Sequence, residues 1–140
     1  KEDRLIVFEY KIEFIKKEEK WMKTFNYESN CVKYKNCFFD VGEYEKDKLS
    51  LSIYGYVEND KNLSHISNVT VNVEEKLEKN QVVIDNYANT NLISFLLDLG
   101  IVKGVPKKVA VKFLMLPVVE LDLEKLYEYS FDQEVLKYAS

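Results

Sequence analysis

Apolar and polar residues alternate along several segments of this 140-residue chain, and the alternation limits the folds open to it. In residues 48–57, leucine and isoleucine fall on one side of an extended chain, while serine and tyrosine fall on the other. Successive side chains of a β-strand point to opposite faces, so this pattern predicts a strand with one buried face. Residues 6–15 alternate in the same way. Residues 65–73 also alternate, with one irregular step at Asn68 that predicts a bulge.

A helical pattern appears only late in the chain. Between residues 90 and 99, apolar side chains recur at positions i, i+3, i+4 and i+7, and Gly100 follows as a stop signal. The next segment, residues 105–122, predicts one long strand interrupted at Pro117, because proline donates no hydrogen bond. Asp122 then begins a short acidic helix.

Strands dominate this pattern, and the chain has only four glycines and two prolines and no linker-like stretch. We therefore predict a single α+β domain over residues 1–140. It contains a mostly antiparallel β-sheet with one strong helix at about residues 90–99 and short C-terminal helices. We expect residues 1–35 to form an N-terminal β extension and residues 36–130 to form the core. The N-terminal strand could pair with its own copy, so monomer and homodimer both stay open.

Charge and composition narrow the class of partner. The net charge is −4 at pH 7, which disfavours a general nucleic-acid binder. No apolar run is long enough for a transmembrane helix, so we expect no membrane partner and a soluble, cytoplasmic protein. A removed leader stays open, since the chain does not begin with Met. Cys31, Cys37 and His65 are too few for a zinc site of four such ligands, and two free thiols are favoured over a disulfide.

Polar residues crowd the junction between a β-branched run and the helix. Asp85, Asn86 and Asn89 could hold a ligand there, because strand-to-helix junctions are common binding positions. The same residue types also stabilise turns and helix starts, and Asn89, Thr90 or Asn91 could cap the helix. Capping is the favoured interpretation, since the segment has no glycine-rich phosphate loop and no calcium-loop spacing.

Four segments carry a family resemblance over about residues 39–127: "KLSLSIYGY", "NVTVNV", "VIDNYANTNLISFLLDLGIV" and "LMLPVVELDLEKL". In order and spacing they resemble the bacterial family catalogued as domain of unknown function 4313, whose members occur largely on mobile elements. The chain departs from the family pattern at residues 90–92, where the family often has a proline, and at "KKVAVKFLML". The resemblance implies a bacterial, mobile-element origin, but it implies no activity.

The acidic C-terminal run is rich in aromatic residues, which suit protein interfaces. Tyr127, Tyr129 and Phe131 are candidate partner-binding residues, together with Tyr54 and Tyr56 on a sheet face that we expect to be exposed. No catalytic motif is evident, and we expect no catalytic residues, no cofactor and no metal. The leading hypothesis is a small, non-catalytic accessory protein that binds another protein, as an inhibitor or adaptor.

Two alternatives remain. One is a small-ligand-binding or enzymatic domain that uses the turn with Asp85, Asn86 and Asn89. The other is a single-stranded nucleic-acid binder that uses the basic patch of Lys103, Lys107, Lys108 and Lys112, with the two sheet tyrosines as a stacking surface. Lysines of this kind are also typical of edge strands, where they oppose aggregation.

Overall fold

Two four-stranded antiparallel sheets make up the computed structural model, which describes residues 23–45, 48–88 and 90–130. The first sheet is a meander whose strands follow chain order. These strands are β1 (Phe25–Ser29), β2 (Val32–Glu45), β3 (Lys48–Val57) and β4 (Leu63–Asn68).

The second sheet has the order β5-β6-β8-β7. Its strands are β5 (Thr70–Val71), β6 (Gln81–Ile84), β7 (Val102–Val111) and β8 (Leu114–Leu121). Helix α1 (Leu92–Leu99) lies between β6 and β7 in the chain, and helix α2 (Leu123–Glu128) follows β8. All strand pairs that the structure describes are antiparallel, which confirms the predicted mostly antiparallel, β-rich class.

One buried cluster connects both sheets and both helices. Its fully buried members include Phe39 of β2, Leu51 of β3, Ile84 of β6, Leu96 of α1 and Leu121 of β8. The alternation predicted for β3 is confirmed, because its leucine and isoleucine side chains enter this cluster. The proposed boundary at residue 35 falls inside β2, which is continuous in the first sheet. The predicted strand at residues 6–15 lies outside the described residues.

The chain passes from the first sheet to the second at Val69, between β4 and β5. The backbone N–H of Val69 donates to the carbonyl of Leu51 (2.9 Å). The carbonyl of Val69 accepts from the N–H of Asp85, the residue that follows β6 of the second sheet (2.9 Å). The buried side chain of Thr70 accepts from the N–H of Leu51 through Oγ1 (3.0 Å). The irregular step predicted as a bulge at Asn68 is therefore the point where the strand changes sheets.

The prediction of one strong helix over residues 90–99 is wrong. Helix α1 has only eight residues and begins at Leu92, and α2 has six. The N-cap residue Asn91 makes no side-chain capping bond, so this end lacks an interaction that commonly stabilises a helix start. Gly100 ends the helix as predicted, in the left-handed region with φ of 78°.

The prediction of one long strand over residues 105–122 is also wrong. The segment folds back on itself as a β7–β8 hairpin, with the turn at Lys112 and Phe113. Lys112 adopts the left-handed region with φ of 56°, which glycine or asparagine would normally occupy in such a turn. The residue types at positions 112 and 113 therefore do not mark the reversal.

Replacement of Thr70 by Val should lower the free energy of unfolding by about 2 kcal/mol. The variant keeps the shape of the side chain but leaves the buried N–H of Leu51 without its acceptor, and it also removes the 2.7 Å bond between Thr70 Oγ1 and the Tyr44 hydroxyl. Urea unfolding followed by circular dichroism measures the change. Thr70→Ser retains the acceptor and should lose less; equal losses in the two variants would contradict a role for Oγ1.

Gly55 of β3 should not tolerate a methyl group. A Cβ there would lie 2.5 Å from Cys37 Sγ and 3.2 Å from Cys37 Cα, so Gly55→Ala should cost about 1–3 kcal/mol of stability through overpacking. Gly104→Ala is the matched control, because a Cβ at Gly104 of β7 meets nothing within 4 Å. Similar urea midpoints for the two variants would show that the contact with Cys37 does not restrict the size of the residue at position 55.

Candidate functional site

A groove lies beside the second sheet, where the end of the β7–β8 hairpin meets α1 and the turn after β6. Its volume is about 350 Å³. The turn contributes Asn86 and Tyr87, α1 contributes Ile93, and the hairpin contributes Lys108 and Leu114–Pro117. We call this feature the hairpin groove.

Strand pairing explains why the groove is open. The pairing of β6 with β8 stops at Val83 and Val118, so the first half of β8 pairs only with β7. The hairpin therefore extends beyond the short strand β6. Pro117 immediately precedes Val118, the last β8 residue that pairs with β6. Its missing N–H therefore interrupts no hydrogen bond between β6 and β8. The register places Lys108 opposite Pro117, and both residues line the groove.

Large apolar side chains stand uncovered at and beside this groove. Phe113, at the hairpin turn, is fully exposed, and Met115 is 60% exposed. Tyr87, on the opposite wall, is 70% exposed. Single exposed apolar residues are ordinary, but several around one concavity indicate a contact surface.

The polar turn after β6 supplies one of the three candidate ligand-binding residues to the groove. Asn86 lines it, and its Oδ1 is buried without a hydrogen-bond partner in the part of the chain that the structure describes. Asn80 Oδ1 is buried in the same state, so the missing partner does not by itself distinguish Asn86. Asp85 instead holds the turn, because its Oδ1 accepts from the N–H of Ala88 (3.2 Å). Asn89 lies outside the described residues.

The four lysines of the predicted basic patch do not share one surface. Lys103 Nζ lies 3.7 Å from the carboxylate of Glu120. Lys107 and Lys108 are consecutive in β7 and therefore point to opposite faces of the sheet. Lys112 is in the hairpin turn. Only Lys108 lines the hairpin groove.

The expected exposed platform of sheet tyrosines is wrong for Tyr54, which is 7% exposed. Its ring stacks on Phe38 at a centroid distance of 6.2 Å and contacts His65 edge-on at 5.2 Å. Tyr56 is half-buried. Tyr54 is therefore packed between rings rather than presented to a partner.

The C-terminal aromatic residues also face inwards in part. Tyr127 and Tyr129 are half-buried and pack against the main core, while Phe131 lies outside the described residues. The predicted start of α2 is confirmed, because Asp122 Oδ1 accepts from the N–H of Lys125 (3.2 Å). The Lys23 ammonium pairs with the carboxylate of Glu128 (2.5 Å), which lowers the carboxyl pKa of Glu128.

The two cysteines and the single histidine are the residue types most often used as a nucleophile or a base. Cys31 is an exposed free thiol, and Cys37 is a buried one. Burial raises the pKa of the Cys37 thiol to about 12, so it stays protonated at neutral pH and is a poor nucleophile. His65 Nε2 lies 3.0 Å from Asn68 Oδ1. Across the described ranges, no three His, Cys, Asp or Glu side chains come together as a metal site would require.

Sequence reasoning missed Tyr87, Phe113 and Met115. The available signal was the run Phe113–Leu116, which has four apolar residues in succession and therefore breaks the alternation of a strand with one wet face. The run is equally typical of a strand interior, because neither Lys112 nor Phe113 is a residue type that marks a turn.

Comparisons with known proteins give no relative for this chain. A scan of protein-family models, a search of curated proteins and a search of solved structures each found no match. The resemblance to domain of unknown function 4313 therefore stays a prediction. Neither α1 nor α2 is long and apolar enough to cross a membrane.

The two cysteines should differ sharply in reactivity. With a disulfide-exchange reagent at pH 8, the folded protein should release about one equivalent of chromophore rapidly from Cys31, and Cys37 should react only after unfolding.

The raised pKa of the Cys37 thiol also makes the stability of the fold depend on pH. Above about pH 9, the unfolded thiol loses its proton while the folded one retains it up to about 12, so stability falls across this window.

A Cys37→Ala variant should lack this component of the alkaline loss. Comparison of its urea midpoints with those of the unmodified protein at neutral and alkaline pH separates Cys37 from the tyrosines and lysines that also titrate. Rapid modification of both thiols in the folded state would contradict the assigned burial.

Proposed function

We propose that this chain is a small, non-catalytic accessory protein that acts by binding another protein through the hairpin groove and the adjoining turn. The observation that carries the proposal is the fully exposed Phe113 at the end of a hairpin, next to a groove walled by Met115 and Tyr87. Aromatic and methionine side chains are enriched at protein interfaces, where they fill pockets on the partner.

Energetics favour a macromolecular partner for these side chains. Covering a fully exposed phenylalanine side chain contributes about 1.5–3 kcal/mol, and Met115 and Tyr87 would add to this. Phe113 projects at the turn rather than into the groove, so a ligand confined to the groove would leave it in water. A protein surface can cover the turn and the groove together.

The biological setting rests on the family resemblance. Members of domain of unknown function 4313 occur largely on bacterial mobile elements, where an accessory protein of this size would act as an inhibitor or adaptor. This part of the proposal depends on the resemblance, whereas the contact surface is argued from the exposed side chains alone.

A small anionic ligand is the second candidate, and the groove itself favours it. Lys108 supplies a cation and Asn86 an amide at the edge of an apolar concavity, and about 350 Å³ is within the size range of small-molecule sites. In this role the residues of the predicted Asn86 turn, rather than Phe113, would control binding.

The proposal predicts loss of a protein partner from a Phe113→Ser, Met115→Ser variant. Affinity capture from a bacterial lysate at about 0.15 M salt, read by mass spectrometry, should give a stoichiometric partner with the unmodified protein and reduce it at least tenfold with the variant, because two anchors worth about 1.5–3 kcal/mol each are lost. Both residues are exposed, so the fold should persist, and circular dichroism checks this.

Val32→Ser is the matched control, since Val32 is an exposed apolar residue on the first sheet. Its partner yield should equal that of the unmodified protein. Tyr127 and Tyr129 pack against the core, so circular dichroism must first show that a Tyr127→Ala, Tyr129→Ala, Phe131→Ala variant is folded. A partner that survives the hairpin variant but is lost with this folded variant would move the contact surface to the C-terminal aromatic residues. Absence of any partner for the unmodified protein would count against protein binding and favour the small ligand.

A further inference from the structure

Strand β7 forms an open edge of the second sheet. In the residues that the structure describes, it pairs on one side with β8 and has no strand on the other. Every second residue of such a strand directs its N–H and C=O away from the paired neighbour. An unpaired row of this kind is a template for another extended chain.

The regular part of this edge is short and well defined. The register with β8 is irregular between Val102 and Gly104 and again between Gly104 and Lys107, and it then runs without interruption from Lys107 to Val111. Pro106, which has no N–H, immediately precedes this stretch. An added strand would therefore pair along Lys107–Val111.

Charge selects the chemistry of the added strand. Strand β7 carries three lysines and no acidic residue, although the whole chain has a net charge of −4. Lys107 and Lys108 are both exposed and point to opposite faces, so each face of the edge presents one cation. Carboxylates on two successive residues of an added strand would meet both, because successive side chains of that strand also alternate between faces.

The groove favours a large apolar side chain on the added strand, two residues from the carboxylate that faces Lys108. Ala110 is exposed and small, and it lies directly opposite Met115 in the β7–β8 register. It occupies the same face as Lys108, two residues away. A bulky side chain on the added strand opposite Ala110 would lie over this alanine and contact Met115 at the wall of the hairpin groove.

We propose that the partner contributes an extended acidic segment that adds as a strand to β7 along Lys107–Val111, with carboxylates at Lys107 and Lys108 and a large apolar side chain over Ala110. This inference rests on the proposed protein-binding function and specifies its mode. A second copy of the chain fits the edge poorly, because pairing β7 with itself would bring together two strands that carry only positive charge. The same lysines thus oppose self-association and favour an acidic strand.

Selection from a displayed library of short random peptides tests this inference without a known partner. The full chain is the target, and the enriched peptides are then synthesised with a fluorophore and titrated by fluorescence polarisation. We expect a consensus of two adjacent acidic residues separated by one position from an aromatic or leucine residue. A Lys107→Glu, Lys108→Glu variant should bind these peptides about tenfold or more weakly, and added salt should weaken binding to the unmodified protein.

Lys33→Glu, Lys35→Glu is the matched control, because both lysines are exposed on β2 of the other sheet. It should bind like the unmodified protein. N-methylation of successive backbone amides of the best peptide tests strand addition itself: loss of binding at alternate positions is expected, since only alternate N–H groups of the peptide would face β7.

Equal binding by every N-methylated peptide, or by both charge-reversal variants, would overturn the inference. Failure to select any peptide would also overturn it. None of these three results bears on the capture of a folded partner through Phe113 and Met115, so the lysate experiment judges the proposed function separately.

Discussion

The rest of the structure depends on the junction where one threonine hydroxyl replaces a backbone carbonyl. Strand β3 pairs with β4 up to Asn68, and the chain then leaves the first sheet. The buried N–H of Leu51 must still find a hydrogen-bond acceptor at this point. Thr70 Oγ1 accepts this N–H, so the backbone of Thr70 is free to pair with Ile84 in the second sheet. The buried donor stays satisfied while the chain changes sheets. The position of β6, and through it of β8 and the hairpin, follows from this crossing.

Local signals in the sequence predicted local structure well. The alternation in residues 48–57 matches β3, Asp122 caps α2, and Gly100 ends α1, because each of these depends on a few neighbouring residues. The hairpin turn was missed since Lys112 takes a left-handed conformation that costs a non-glycine residue roughly 1–2 kcal/mol. The hairpin ladder that begins with Val111 and Leu114 sustains that turn, and neither Lys112 nor Phe113 is a residue type that marks a turn in a sequence.

The candidate site shows the same division between local and long-range information. Asn86 and Lys108 were both singled out from sequence, but under separate hypotheses, because nothing in the spacing of residues 86 and 108 indicates that they line one groove. Tyr54 was assigned to a wet face from its position after two serines. That assignment failed because Tyr54 is buried and contacts the rings of Phe38 and His65. The spatial arrangement of residues distant in sequence therefore decided both outcomes.

The two faces of the β7–β8 hairpin differ in a way that bears on function. On one face, Val109 and Leu116 are buried in a small second core. Val71 of β5 and Val73 and Leu77 of the segment after it pack against this core. On the other face, beyond the end of β6, no described segment supplies an equivalent cover for the exposed Met115, nor is one supplied for Phe113 at the turn. A chain that buries apolar residues on one face of a hairpin but exposes them on the other leaves hydrophobic free energy unused in folding. That free energy is available to association, which is the physical reason to look for a partner at this end of the molecule.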